Sequence, residues 1–274
     1  MTRPCGSIVF VRRAGWTLCV LIVLAVPGRA ADDRDPLTRA RALYNQRKFD
    51  EALLAAEQAR ATPAKADSAD LIASRSYLER FRATAEPLDL TKARERLRRI
   101  DPRRFGPQEQ VEFMVGLGET LFFEESFGAA SEVFDWVLAQ EGRLTTDERE
   151  RVIDWWASAL DREAQPRTEF ERQAVYQRVR TKMQEELGAS LTSATAVYWL
   201  AVAARGQGDL QGSWEAAQAG WVRAPMASDR GAELRADIDR FVMTALVPER
   251  ARALGQPPET LRSEWQRFKE KWTK

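Results

Sequence analysis

No histidine occurs among the 274 residues, and the two cysteines, Cys5 and Cys19, both lie in the first twenty. If that stretch is removed on export, the working chain has neither residue type. Cys/His zinc sites, haem and iron–sulfur ligation, thiol nucleophiles, disulfides and histidine acid–base catalysis then lose the groups they require. An all-carboxylate metal site, a Ser–Lys pair or a carboxylate dyad stays open to such a composition. No catalytic constellation of these types can be assembled, so no catalytic residue, no metal ligand and no cofactor is expected. Charge of one sign is also lacking, with 42 Lys and Arg against 41 Asp and Glu. Nucleic-acid and membrane-surface binders normally carry a basic bias, so neither partner is expected.

Long apolar runs are missing too. The one continuous run, Trp16 to Val26, is eleven residues, about half of what a bilayer span needs. Arg3, Arg12 and Arg13 precede it, and Pro27-Gly28-Arg29-Ala30-Ala31 follows it. A positive flank, a short apolar core and small residues at the end form the layout of a secretory signal peptide. Residues 1–31 are therefore read as an export signal cleaved after Ala30 or Ala31, giving a periplasmic or secreted protein. A retained membrane anchor is the competing reading. Cys19 lies inside the apolar core rather than just after it, which argues against lipidation. Arg12-Arg13 has only a faint likeness to a twin-arginine signal. Removing four arginines and no acid shifts the balance to 38 basic against 41 acidic groups over 243 residues.

Strand signals are nearly absent, whereas Ala, Leu, Glu, Arg and Gln dominate, which is helix-forming composition. Pro, Gly and capping residues divide the chain into helices predicted over 36–47, 49–62, 66–85, 88–100, 107–123, 126–140, 146–164, 168–187, 193–206, 209–224, 227–246 and 258–273. Thr145 with Glu148, and Thr168 with Glu171, match the capping box. Pro107 and Pro258 suit first helical turns, Gly188 suits a left-handed helix stop, and Ser126 reads as an N-cap. Val152, Trp155, Trp156, Ala159 and Leu160 form one apolar stripe; Phe170, Ala174, Val175 and Val179 form another. Glu185/Glu186 and Asp147/Glu148 read as solvated helix charges. The connections are short, so successive helices should pair as antiparallel hairpins.

Internal periodicity follows. Leu43 and Tyr44 precede Phe49-Asp50-Glu51-Ala52-Leu53. In the middle of the chain Leu117-Gly118 and Leu121 precede Ala130, Phe134 and Val137, with Met114 where the motif has an aromatic. Val197, Leu200-Ala201 and Ala204 then precede Gly208-Asp209-Leu210, Ser213, Ala217 and Pro225. These segments resemble the tetratricopeptide repeat (TPR), in which a small residue on the second helix lets the hairpin close and a large one fills the gap between hairpins. Ala93 with Leu97 and Ile100 gives a degenerate copy, and Ala174 with Arg178 a poor one. The intervals between the small residues are 41, 37, 44 and 39, all above the 34 of a standard TPR. HEAT or armadillo repeats fit that length better but lack the Leu-Gly and Gly-Asp signatures. The fold class is thus read as all-α: an α-solenoid of about five to six antiparallel hairpins, with TPR-like repeats over 32–256 and an amphipathic capping helix over 257–274. That last helix aligns Leu261, Trp265, Phe268 and Trp272. A docking arm is its alternative reading.

The resemblance implies a superhelix whose concave face holds a peptide or protein segment. The expected function is a non-catalytic envelope scaffold or adaptor with Asn45, Glu119, Trp155 and Tyr198 as candidate partner-binding residues. An alternative rests on the eight tryptophans from Trp136 to Trp272, which could stack on cell-wall or other polysaccharide; filling gaps between lengthened hairpins is their plainer use. Glu125-Ser126-Phe127 resembles the catalytic glutamate segment of lytic transglycosylases, but Phe follows Ser directly and the segments that should follow are missing.

Overall fold

The computed structural model describes residues 35–190, 192–226 and 231–272. The signal-like segment, residues 227–230 of one expected helix and residue 273 of another lie outside them. Among the described residues there is no strand, and thirteen α-helices follow in order: α1 (Pro36–Asn45), α2 (Phe49–Arg60), α3 (Ala66–Thr84), α4 (Pro87–Leu97), α5 (Pro107–Phe123), α6 (Phe127–Leu138), α7 (Thr146–Ala164), α8 (Glu169–Ala189), α9 (Ala194–Gly206), α10 (Leu210–Arg223), α11 (Gly231–Phe241), α12 (Val247–Leu254) and α13 (Pro258–Trp272). The chain is all-α. No helix among the described residues is long and apolar enough to cross a membrane.

Sequence neighbours pack against each other, and the odd-numbered helices also meet in succession: α1 with α3, α3 with α5, α5 with α7, α7 with α9, and α9 with α11. The reason is visible in three of the turns. Lys48 N–H bonds to Leu43 O at 3.0 Å, Ser126 N–H to Leu121 O at 2.9 Å, and Asp209 N–H to Ala204 O at 2.9 Å. In each case the preceding residue, Arg47, Glu125 or Gly208, is left-handed, with φ of 60°, 60° and 79°. This is the Schellman closure, which satisfies the last carbonyls of one helix while reversing the chain. Five residues after each left-handed residue comes Ala52, Ala130 or Ser213, all fully buried. Ser213 resolves its own polarity by donating to Ala201 O at 2.8 Å. The three hairpins that share this turn are the three best sequence copies. The other two close differently, through Ala85 in one and through Ala164 to the Thr168 cap in the other.

Gly118 has a steric role. A Cβ there would lie 2.6 Å from Cε1 of Phe134, whose buried ring therefore rests on bare backbone of α5. Phe134 also stacks on Trp155 of α7 at 6.4 Å, so one ring closes its own hairpin and joins it to the next. Both capping boxes form as expected, at Thr145 with Glu148 and at Thr168 with Glu171.

Five expectations need correction. Helix α8 runs through Gly188 to Ala189, and Gly188 is not left-handed; Ser190 ends the helix by bonding to Glu186 O. Phe170 is exposed and Ala174 is too, because the buried stripe of α8 is Val175, Val179, Met183 and Glu186. Phe170 lies nine residues before Val179, which at about 100° per residue is the opposite side of the helix. Glu186 is not a solvated charge: it is buried and held by Arg149 at 2.8 and 2.6 Å. The helix expected to stop at 246 continues through a π turn at Val242–Leu246 into α12. The wider turn shifts the register so that Pro248 falls in a first turn, where its missing N–H is not needed. Ser126 occupies the N-cap position, but its side chain makes no capping bond.

The last helix buries Leu261 and Trp265. The Trp265 indole sits edge-on to Trp214 and Trp221 of α10 at 5.6 and 5.8 Å. Its Nε1 donates to Asp239 of α11 at 2.8 Å, and Lys269 pairs with the same carboxylate at 2.7 Å.

Candidate functional site

The odd-numbered helices place a cluster of charged and aromatic side chains on one another. From α3, Arg75 reaches Glu112 of α5 at 2.9 Å, and its guanidinium lies 4.6 Å from the ring centre of Tyr44 on α1. Arg41 of α1 and Ser68 of α3 both meet Glu109 of α5, at 2.5 and 2.7 Å. Nearly two α-helical turns on, Arg82 lies 5.4 Å over the indole of Trp155 on α7. Phe122 and Phe123 of α5 flank that indole edge-on at 4.8 and 5.4 Å. Residues 75 and 82 lie on the same face of α3 because seven residues make nearly two turns.

Within this cluster Glu119 of α5 is half-buried and makes no side-chain hydrogen bond among the described residues. Burial pushes its carboxyl up to about 7; Arg82, Arg75 and Arg151 pull it down, and Glu79 adds to the rise. Loss of water thus outweighs three cations, because the ionised form has surrendered solvation without gaining a direct donor. Burial works against the Arg75 guanidinium as well, yet Tyr44, Glu112, Glu119 and Glu148 leave it above its ordinary value. Burial also raises the Tyr44 hydroxyl, opposed by Arg75.

A second strip follows on α7, α9 and α11. Trp199 Nε1 donates to Asp154 at 2.9 Å, while Tyr198 packs on Trp199 at 5.2 Å and on Phe241 at 6.0 Å. Burial, then Asp237, Asp154 and Asp161, push the Tyr198 hydroxyl up to about 12. This strip is acidic and aromatic, whereas the cluster around Glu119 carries both signs.

The four residues singled out from sequence divide accordingly. Glu119 and Trp155 come together through their shared neighbour Arg82. Tyr198 belongs to the second strip. Asn45 is exposed at the end of α1, and it is Tyr44, its neighbour, that α1 contributes. No protein-family model, curated protein or solved structure matches the chain. The geometry alone carries the reading.

Sequence reasoning missed Tyr44, Arg75 and Arg82. The seven-residue spacing of the two arginines on α3 was the signal available, but nothing in it distinguishes a shared interior face from a solvated one. Among the described residues no group of three or more carboxylates could hold a metal ion. Glu125 lines an open cleft of about 910 Å³ with Arg162, Glu163 and Arg167, in which Glu163 is already paired with Arg167. Of the eight tryptophans, Trp156, Trp199, Trp214 and Trp265 are buried, whereas Trp136 and Trp272 are exposed.

Proposed function

We propose that the chain is an exported, non-catalytic scaffold of TPR-like type. Its hairpins form a solenoid closed by α13, and a protein or peptide segment of the envelope lies along the odd-numbered helices. The observation that carries this reading is the cluster around Glu119. It is a half-buried carboxyl without a direct partner, set among arginines and beside an indole that already has aromatic walls. Such a site offers charge of both signs and apolar area to an extended chain, and little to a small reactive substrate. The repeated left-handed turns at Arg47, Glu125 and Gly208 support the repeat architecture, because they recur at one offset from a buried small residue. Export is supported by the arrangement of residues 1–31.

The polysaccharide reading finds less support. Four indoles are enclosed by protein and offer no face to a sugar ring. Affinity capture from an envelope extract tests the proposal. The double variant E119K/R82E is expected to lose about tenfold or more of the partner recovered by the unaltered chain, as reversal of two central charges does. Equal recovery by the variant would contradict the placement of the site.

A further inference from the structure

The stretch from Lys92 to Arg104 holds seven cations against Glu95 and Asp101. Some are matched within the fold: Arg94 by Glu124 at 2.9 Å, Arg96 by Asp70 at 2.8 Å. Arg98 and Arg99, at the end of α4, are exposed, and among the described residues their side chains meet no carboxylate. Arg103 pairs with Asp101 at 3.0 Å, but its side chain is 89% exposed, so the pair is a solvated one worth little. Between these arginines, Ile100 and Phe105 are buried in a small core with Leu71 and Leu97, against which Phe113 packs. That core pins the basic turn beside α5.

Next to it lies a cavity of about 250 Å³ lined by Pro102, Arg103, Gln110, Phe113, Met114 and Trp136. The Gln110 amide donates to Phe105 O at 3.2 Å, so it is committed to holding the turn and leaves the walls mostly carbon. Trp136 on α6 keeps 39% of its surface in water. An apolar hollow with an exposed indole, walled in part by Arg103, whose Asp101 pair is solvated, and preceded on the same turn by the exposed Arg98 and Arg99, unpaired among the described residues, is complementary to one kind of occupant.

We propose that this cavity is a second docking site, for an acidic peptide segment that inserts one bulky apolar side chain. Phe113, Met114 and Trp136 receive the side chain. Arg98, Arg99 and Arg103 engage the carboxylates on either side of it. The concavity favours a side-chain anchor over a flat lipid surface, and the arginines select against a basic or neutral segment. The site shares no lining residue with the cluster around Glu119, so it stands or falls independently of the proposed scaffold function.

Fluorescence polarisation on the full chain tests it with labelled peptides bearing a central Phe or Leu flanked by Glu. Saturable binding is expected, weakened at least tenfold by R98E/R99E, by W136A, and by Ala at the peptide centre. Lys in place of the flanking Glu should abolish it. Circular dichroism of each variant guards against loss of fold. R98E/R99E alters only exposed side chains and carries the test if W136A unfolds. Absence of saturable binding by either peptide would overturn the proposal, as would binding unaffected by R98E/R99E. Tighter binding of a single-stranded oligonucleotide than of the acidic peptides would also overturn it, by identifying a phosphate-binding surface instead.

Discussion

Replacing Trp265 with Ala is expected to lower the free energy of unfolding by about 3–5 kcal/mol, the usual cost of removing a fully buried Trp. The indole is completely enclosed and is the common neighbour of Trp214, Trp221 and Phe268. Its removal leaves a void between α10 and α13 that three large rings cannot close together. It also strips Asp239 of one donor, leaving the Lys269 pair. For a chain of this size the melting temperature should fall by roughly 10 °C. W265F keeps most of the packing and loses the Nε1 bond, so a smaller fall is expected. Urea titration of the three proteins measures the difference. A change below about 1 kcal/mol for W265A would mean that α13 is not an integral part of the packed array and would favour the docking-arm reading.

Glu119→Gln is expected to act in a pH-dependent way, and the sign is fixed by the direction of the shift. The carboxyl of Glu119 is raised to about 7 in the folded chain from an ordinary value of 4.5. Below the ordinary value both states are protonated and the group costs nothing extra. Between the two values the unfolded chain ionises while the folded chain resists, so stability falls as pH rises. Above the folded value the full cost is present. Gln is neutral throughout and of similar shape. E119Q should therefore match the parent near pH 4 and exceed it at pH 8, by on the order of 2 kcal/mol once solvent screening at this half-buried site is allowed for. The charges facing Glu119 from Arg75, Glu79, Arg82 and Arg151 already enter its value of about 7, so the comparison reads their net effect together with that of burial. Denaturant melts at the two pH values decide it. An equal difference at both, or a less stable E119Q at pH 8, would show that Glu119 is not held desolvated.

Helix content was legible in the sequence because it rests on local signals: the two capping boxes, the prolines at 107 and 258, and apolar spacing such as that of α7. The hairpin positions of Ala52, Ala130 and Ser213 were legible for the same reason. A fully buried small residue at a fixed offset from a turn is a strong constraint on residue type. Legibility failed where two faces of one helix compete. On α8, Phe170 and Ala174 looked like a stripe, yet Glu186 is the buried member because Arg149 compensates its charge from α7. A paired buried carboxylate has no one-dimensional signature. The end of α11 was misplaced because a π turn absorbs Pro248, and such a turn depends on the packing of Val242 and Leu246 rather than on their types.

The candidate face was half legible. Glu119 and Trp155 were found from their helical positions, but the residues that complete the cluster come from helices far apart in sequence. Arg82 and Trp155 are separated by an entire hairpin, and only the succession of odd-numbered helices brings them to 5.4 Å. Tyr44 in place of Asn45 is a single 100° step on α1, well within the resolving power of a structure and beyond that of an unaligned sequence.

The central claim is that a partner lies along the odd-numbered helices. A photo-reactive amino acid placed in turn at Asn45, Val115 and Arg151, beside the Glu119 cluster, and at the exposed Leu54 and Leu88 of the even-numbered helices, tests it most directly. Irradiated in envelope extract, the first set is expected to yield one discrete protein adduct that is lost on adding E119K, and the second set to yield none. Adducts from Leu54 or Leu88 with none from the first set would contradict the account.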